Sequence, residues 1–280
     1  MKQVLVNGVF ADHISVQDRG LQYGDGLFET ILCHQQKLYY WPQHYQRLQQ
    51  SAEKLAMDCP PEDVLLDDIS RLLDDRETCA IRIILTRGNS QRGYAWQQGQ
   101  PGRRIVQCSP LSSEYSSLLT QQLASGRLFI CRTQASINES LAGLKHLNRL
   151  ENVMARNEFS DNYMDGLMLD ANGHMIEGSM SNVFAIKNGA VYTPDLSHSG
   201  VRGIMRERIT AIIKALNYPL HIRALTREEV LDMDALFISN SLIGMREVSS
   251  IMDKAFTSSD ISRQVFEALL TDSRNALQHV

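Results

Sequence analysis

The chain has 280 residues, of which 43% are hydrophobic and 21% are charged, and its formal net charge at pH 7 is −4. Such a composition is typical of globular proteins, and the length allows one large domain or two modest ones. The weakly acidic charge gives no support for nucleic-acid binding or for a basic membrane anchor, and no apolar run approaches membrane-spanning length.

The five cysteines are scattered along the chain, at positions 33, 59, 79, 108 and 131. None of them has the close spacing of a zinc knuckle or a redox motif, and their odd number suits a reducing compartment. The N-terminal stretch is too short and too quickly polar to be a signal peptide. We therefore expect a cytoplasmic protein that has no metal site and binds neither nucleic acid nor membranes.

A hairpin and a glycine-rich loop open the chain. Asn7-Gly8 lies between two short apolar runs, which predicts two strands joined by a tight turn. Three glycines within positions 20–26 then predict a loop that enters a strand at Leu27. Such a loop is usually only a turn, but it also lets backbone approach a flat ligand, and Tyr23 and Thr30 are the polar groups placed there.

Two helices follow, and the first carries an arginine at the border of its apolar face. Pro42 favours a helix start, and apolar residues at helical spacing predict a helix to about Met57. Arg47 borders this stripe, so it is either a surface arginine or a phosphate ligand. A second helix is predicted over residues 61–73 and a strand over residues 79–86.

An arginine- and glycine-rich loop containing Arg92 and Tyr94 separates this strand from the next one, at residues 105–108. Arginines on a loop are suited to binding a carboxylate through two parallel hydrogen bonds, although any solvated loop can contain them. The serine-rich stretch at residues 109–120 has the composition of a linker and marks the expected domain boundary.

Lys145 lies between a glycine-containing turn and a run whose apolar residues recur at helical spacing. These apolar residues are Leu147, Leu150, Val153 and Met154. A lysine at the start of a helix faces the positive end of the helix dipole, which favours the neutral amine that Schiff-base chemistry needs. Because most lysines are surface charges, the catalytic interpretation depends on the rest of the chain.

Hairpins are the commonest pattern in the second half. Residues 166–178 predict one hairpin, with Glu177 at the end of its second strand. Residues 183–193 predict another, because Asn-Gly lies between alternating apolar residues. A carboxylate at a strand end is ordinarily exposed, and a buried one must be paired or hydrogen-bonded.

A helix predicted from Ser199 onward provides a candidate anion site. Glycines near its start leave the first amide groups accessible. A strand at residues 235–239 then leads into Asn240 and Ser241, a polar turn that adds one more hydroxyl for the same anion.

Five motifs occur in order along the chain. They are Tyr23-Gly-Asp-Gly-Leu-Phe-Glu-Thr30, His44-Tyr-Gln-Arg-Leu48, Gly143-Leu-Lys-His-Leu-Asn-Arg-Leu150, Glu177-Gly-Ser-Met-Ser-Asn-Val-Phe184 and Gly200-Val-Arg-Gly-Ile-Met-Arg206. With them the sequence resembles, over essentially its whole length, the fold type IV family of pyridoxal-phosphate enzymes. That family includes branched-chain and D-amino-acid aminotransferases, and the motifs are most similar to those of its aminodeoxychorismate lyases.

The resemblance implies a mixed α/β (α+β) fold of two domains. A smaller N-terminal α/β domain is expected at residues 1–110 and a linker at 111–120. A larger C-terminal domain with a barrel-like sheet is expected at 121–280, where it binds pyridoxal 5'-phosphate and carries the lysine. The resemblance also implies a homodimer with the active site at or near the subunit interface.

Residue roles follow from the same resemblance. Lys145 matches the Schiff-base lysine, which also moves the proton, and Glu177 matches the carboxylate that pairs with the pyridine nitrogen. Thr30 matches a threonine beside the reacting carbon. The implied phosphate contacts are Arg47, Ile204, Met205, Asn240 and Ser241, and the implied substrate contacts are Tyr23, Arg92 and Tyr94.

The implied activity is that of a carbon–oxygen lyase, which converts 4-amino-4-deoxychorismate to 4-aminobenzoate and pyruvate in folate biosynthesis. A D-amino-acid or branched-chain-type aminotransferase of the same fold is the alternative, since one lysine can serve either reaction. A non-catalytic module that binds the cofactor or a partner is a third hypothesis. Such a module would be expected to lack Lys145 or Glu177, and both are present.

Overall fold

The structure is a computed structural model that describes residues 4–73, 78–97 and 99–280. The chain separates into two compact units. The first consists of the described residues of Met1–Ser113 together with Lys145–Asn148 and Ala276–Val280. The second consists of Glu114–Leu144 and Arg149–Asn275. Across the described ranges, no helix combines the length and the apolar character needed to span a membrane.

The first unit is built on an antiparallel sheet. Its helices are α1 (Arg19–Tyr23), α2 (Trp41–Lys54) and α3 (Glu62–Ser70). Its strands are β1 (Val4–Val6), β2 (Val9–Phe10), β3 (Gly26–His34), β4 (Lys37–Tyr39), β5 (Thr78–Thr86), β6 (Arg103–Pro110) and β16 (Leu277–His279). Among the described residues the strand order is β16-β4-β3-β5-β6-β1-β2.

The core of this unit lies between the sheet and its two longer helices. Alternation along β3 turns Leu27 and Ile31 into the core, where they join Trp41 and Leu48 of α2. Pro42 lies in the first turn of α2, as predicted, because that position needs no amide donor. The predicted glycine-rich loop contains a short helix, α1, whose N-terminus is capped by the Asp18 side chain.

The second unit has a mixed sheet and most of the helices. A short 3-10 helix, Ser113–Tyr115, precedes it. Its helices are α4 (Ser117–Thr120), α5 (Leu150–Arg156), α6 (Ile204–Ala215), α7 (Arg227–Leu231) and α8 (Asp260–Asn275). Its strands are β7 (Ser125–Ile130), β8 (Asp165–Leu169), β9 (Met175–Gly178), β10 (Asn182–Lys187), β11 (Ala190–Thr193), β12 (Leu220–Ile222), β13 (Ala235–Asn240), β14 (Gly244–Ile251) and β15 (Lys254–Ala255).

This sheet curls back on itself. Its order over the described residues is β12-β11-β10-β13-β14-β7-β8-β9, and β15 pairs with β14. The strand β9 also lies against β10, and the Gly178 amide donates to the Ser181 carbonyl in the tight connection between them. The predicted hairpins β8–β9 and β10–β11 are both present. Glu177, at the end of β9, therefore lies beside the start of β10.

The segment after Gly143 differs from the prediction. The helix α5 begins at Leu150, and Lys145 lies before it in a stretch that pairs with β3. The Phe28 amide donates to the Lys145 carbonyl at 3.0 Å. Because these bonds join the segment to β3, Lys145–Asn148 belongs to the first unit, and not to the C-terminal part of the chain in which Lys145 was expected.

Candidate active site

A buried carboxylate in the first unit holds the predicted phosphate arginine. Arg47 donates from Nε to Glu29 Oε1 at 2.8 Å and from Nη2 to Oε2 at 2.5 Å. His44 Nδ1 lies 2.6 Å from the same Oε2. His44 and Arg47 are three residues apart on α2, so both side chains reach Glu29 on β3 from one helix face. Arg47, itself half-buried, therefore forms a three-residue cluster with the buried Glu29 and His44.

The charges in this cluster follow from its burial and pairing. Burial raises the pKa of Glu29, but the Arg47 charge and the His44 hydrogen bond outweigh that effect and lower it from 4.5 to about 2. Burial lowers the pKa of His44, and the positive charges of Arg47 and Lys145 lower it further against the opposing effect of Glu29. At pH 7 the cluster therefore contains an ionised Glu29 and a neutral His44, whose Nδ1 donates the hydrogen bond.

Lys145 is placed by β3 and not by a helix. Its Nζ lies 4.3 Å from the centroid of the Phe28 ring. Since α5 begins five residues later, the predicted influence of a helix dipole on this amine is wrong. On α5 itself, the apolar residues Leu150, Val153 and Met154 are 73%, 55% and 56% exposed.

The same face of β3 carries Thr30. Phe28 and Thr30 are two residues apart on the strand, so their side chains point to one side while that of Glu29 points to the other. Arg82 on β5 lies directly opposite Thr30, and its guanidinium carbon is 4.6 Å from the Phe28 ring centroid. Lys145 and Arg82 thus lie beside one aromatic ring, on the strand face that also carries Thr30.

Tyr23 and Tyr94, two predicted substrate contacts, are neighbours. Tyr23 ends α1, and its ring centroid is 5.4 Å from that of Tyr94. The buried Arg19 supports this arrangement, since it donates to the carbonyls of Gly93, Tyr94 and Ala95. Arg92 and Tyr94 have exposed side chains.

Glu177 is the buried carboxylate of the second unit. Its Oε2 accepts a hydrogen bond from the Val201 amide at 2.9 Å and a longer one from Asn182 Nδ2 at 3.5 Å. Asn182 Nδ2 also donates to the Val201 carbonyl at 2.9 Å. Arg149 is close enough for the Glu177 charge to oppose the lowering of the Arg149 pKa by burial.

The start of α6 adjoins this carboxylate. Ile204 and Met205 form its first turn, and both are buried. The first amide groups of a helix have no partner within the helix and point along its axis, which makes this end suitable for an anion. A Cβ on Gly203 would lie 2.1 Å from Asn182 Oδ1, so the absence of a side chain there lets Asn182 approach the helix start.

In the polar turn at the end of β13, the Asn240 side chain is hydrogen-bonded to backbone groups. Asn240 Oδ1 accepts from the amides of Leu242 and Ile243, at 2.9 and 2.8 Å, and Nδ2 donates to the Met180 carbonyl. Asn240 therefore shapes the turn through its side chain. Ser241, the next residue, is half-buried.

Asp165, which the motifs do not single out, organises the loop after Glu177. It is fully buried on β8, and its Oδ1 accepts from the amide and hydroxyl of Ser179 at 3.0 and 2.6 Å. Its Oδ2 accepts from the Ser181 hydroxyl at 2.6 Å. Burial raises the Asp165 pKa, and the serine hydrogen bonds partly offset this. The loop between Glu177 and Asn182 is therefore anchored at both serines.

Three residues of these sites were missed from the sequence. Glu29 and Arg82 are charged residues inside strands that are otherwise mainly apolar, and Asp165 is the first residue of such a strand. Because a buried charge needs a partner, that pattern was the available signal for Glu29 and Asp165, whereas Arg82 is exposed.

Comparison with known proteins identifies the family. The model of the family described as Amino-transferase class IV matches residues 26–251. The chain belongs to the class IV aminotransferase family. Four of the five motifs lie within the matched residues, and the first, at residues 23–30, extends three residues before them.

Individual members of the class IV aminotransferase family are similar to this chain over most of its length. Aminodeoxychorismate lyase from Vibrio harveyi is 35% identical over 248 residues, which are 88% of this chain and 90% of that protein. D-alanine aminotransferase from Staphylococcus aureus (strain N315) is 29% identical over 249 residues, 86% of each protein. The crystal structure of 4-amino-4-deoxychorismate lyase from Pseudomonas aeruginosa matches with a TM-score of 0.86 at 35% identity, covering 96% of this chain and 98% of that one. The predicted mixed α/β fold with a barrel-like sheet is thereby confirmed.

Proposed function

We propose that this class IV aminotransferase family member is a pyridoxal-phosphate-dependent lyase that converts 4-amino-4-deoxychorismate to 4-aminobenzoate and pyruvate. The observation that carries the proposal is the 35% identity to two lyases of that name, each over at least 88% of this chain. The D-alanine aminotransferase above is less similar, at 29%. The reaction is an elimination whose two products contain all the atoms of the substrate, so it needs no second substrate.

The donor groups of the two units suit pyridoxal phosphate. Lys145 provides an amine for its aldehyde, and Glu177 provides a buried carboxylate for its pyridine nitrogen. A half-buried arginine and the start of α6 are cationic or amide donors for its phosphate. When bound, this cofactor supplies an electron sink next to the substrate nitrogen.

We assign these roles to individual residues. Lys145 holds the cofactor through its amine, and its Nζ then takes the proton from the substrate carbon that carries the nitrogen. Thr30, on the same side of β3 as the Phe28 ring below Nζ, offers its hydroxyl as a donor beside that proton transfer. Glu177 accepts the hydrogen bond of the protonated pyridine nitrogen.

The remaining contacts complete the assignment. Arg47 and the backbone amides of Ile204 and Met205 bind the phosphate, together with the turn at Asn240 and Ser241. The substrate contacts assigned from the sequence are Tyr23, Arg92 and Tyr94, and Arg82 joins them because it lies beside the same Phe28 ring as Lys145. A cytoplasmic homodimer is part of the proposal.

The proposal is tested by turnover of enzymatically prepared 4-amino-4-deoxychorismate. We expect 4-aminobenzoate and pyruvate in equal amounts without any added amino acceptor. The variant Lys145→Ala should lose more than 1,000-fold in rate while keeping the wild-type circular dichroism spectrum, because both the covalent hold on the cofactor and the proton acceptor are removed.

Two results would contradict this assignment. Turnover that requires a keto acid and consumes an amino acid would identify an aminotransferase instead. A Lys145→Ala variant with a rate near that of the wild type would place the proton transfer at another residue.

A further inference from the structure

The contact between Arg47 and Glu29 fixes one edge of the planar Arg47 guanidinium. Nε and Nη2 of Arg47 both donate to the Glu29 carboxylate, through hydrogen bonds of 2.8 and 2.5 Å. A guanidinium is flat, so two parallel bonds along one edge set its plane and its rotation within that plane. The direction of the opposite edge, at Nη1, is set at the same time.

Glu29 is itself held rigidly. Its side chain is 2% exposed, it lies on β3, which has a strand on each side, and Oε2 also accepts the hydrogen bond from His44. His44 is 1% exposed, and its Nε2 has no hydrogen-bond partner among the described residues. A neutral ring buried in this way has one strong polar contact, with Glu29, which keeps the carboxylate from rotating away from Arg47.

We propose that Glu29 is a positioning residue that aims the Nη1 edge of Arg47 at the cofactor phosphate. This inference rests on the proposed function, in which Arg47 binds that phosphate. Electrostatics alone predicts the opposite effect, because a carboxylate beside the arginine weakens its attraction for an anion. Removing the Glu29 charge therefore weakens phosphate binding if Glu29 acts by orienting Arg47, and strengthens it if only its charge matters.

The test compares two ligands that differ only in the phosphate group. Pyridoxal phosphate and pyridoxal are each titrated into the full chain after removal of bound cofactor, and binding is followed by absorbance. For Glu29→Gln we expect the Kd of pyridoxal phosphate to rise 10- to 100-fold, while that of pyridoxal stays within twofold. Glu29→Asp keeps the charge but shortens the reach, so it should show the same selective loss.

Two reference variants calibrate the measurement. Arg47→Lys should reduce the preference for the phosphorylated ligand at least as much as Glu29→Gln does. Glu62→Gln is the matched control, because Glu62 is a glutamate of the same unit that accepts a hydrogen bond from Trp41 and lies outside the cluster. It should leave both dissociation constants within twofold of the wild type.

The inference is overturned if Glu29→Gln binds pyridoxal phosphate as well as the wild type or more tightly. It is equally overturned if both glutamate variants lose the two ligands to the same extent, because that is the result of a general structural defect. A wild-type chain that binds neither ligand would instead refute the proposed function. If Arg47→Lys keeps the full phosphate preference, the assignment of Arg47 is wrong and the inference about Glu29 falls with it.

Discussion

At the scale of single residues, Glu29 shows how a buried charge is kept ionised. Burial by itself favours the neutral acid, yet the Arg47 charge and the His44 hydrogen bond lower the pKa of Glu29 to about 2. A pair of this kind is costly to break, since removing one member leaves the other buried without compensation. The sequence identifies Arg47 as a residue at the border of an apolar stripe but does not identify Glu29 as its partner.

This pairing makes stability depend on pH in acid. The pKa of Glu29 is lower in the folded state than its ordinary 4.5, so its contribution is fully present above about pH 4.5 and is lost as the pH falls towards 2. The shift corresponds to a contribution on the order of 3 kcal/mol. We expect the difference in unfolding free energy between the wild type and Glu29→Gln, measured with urea, to be largest at pH 7 and smaller at pH 3.

An unchanged difference between pH 7 and pH 3 would contradict the ionised state assigned to Glu29. Circular dichroism of both proteins at each starting pH provides the control that the folded state is the same before denaturant is added.

At the scale of elements, the start of α6 depends on one close approach. Asn182 on β10 lies against Gly203, and its side-chain amide is held by the Val201 carbonyl and by Glu177. Its amide therefore cannot move aside without loss of these hydrogen bonds. The helix start and the carboxylate at the end of β9 are joined through this one side chain.

The substitution Gly203→Ala tests this contact. The added methyl group would lie 2.1 Å from Asn182 Oδ1, so we expect a loss of about 1–3 kcal/mol in unfolding free energy together with weaker cofactor binding. The double variant Gly203→Ala/Asn182→Ala removes the clash and should lose less stability than the sum of the two single variants. Urea unfolding of all four proteins measures the coupling, and additive losses would show that the two residues do not constrain each other.

The segment that carries Lys145 lies before the predicted helix, which begins only at Leu150. The apolar residues recur at helical spacing, and those on α5, Leu150, Val153 and Met154, are more than half exposed. Lys145 itself follows the edge of β3, because the backbone groups of Gly26 and Phe28 take their hydrogen-bond partners from Leu147 and Lys145. Spacing along the chain reports which residues share a face, and it does not report what covers that face.

At the scale of the whole molecule, the exposed apolar face of α5 supports the proposed homodimer. Three apolar side chains grouped on one helix face are commonly covered by a partner. We expect the wild type to sediment as a dimer at micromolar concentration, and the variant Leu150→Lys/Met154→Lys to dissociate at least tenfold more readily, because two charges would be buried in the interface.

Met252→Lys is the matched control for this variant, since Met252 is also an exposed apolar residue of the second unit. It should sediment as the wild type does. A wild-type chain that is monomeric while active would contradict the homodimer. A double variant that dimerises normally would show that the interface lies elsewhere.

The sequence by itself determined the local elements and the family. Turn residues and alternation are short-range signals, so the hairpins β1–β2, β8–β9 and β10–β11 were predicted where they occur. The order of the five motifs indicated the fold, which the family match confirms. The roles of the individual site residues stay predictions.

Only the tertiary structure decided which charged groups meet. Glu29 with Arg47, Lys145 with β3, and Asp165 with the loop after Glu177 each join residues from different elements. Such contacts depend on how strands and helices pack, and a charge inside a strand carries no signal in its own sequence that names its partner. Burial, which decides whether that charge needs a partner at all, exists only once the chain is folded.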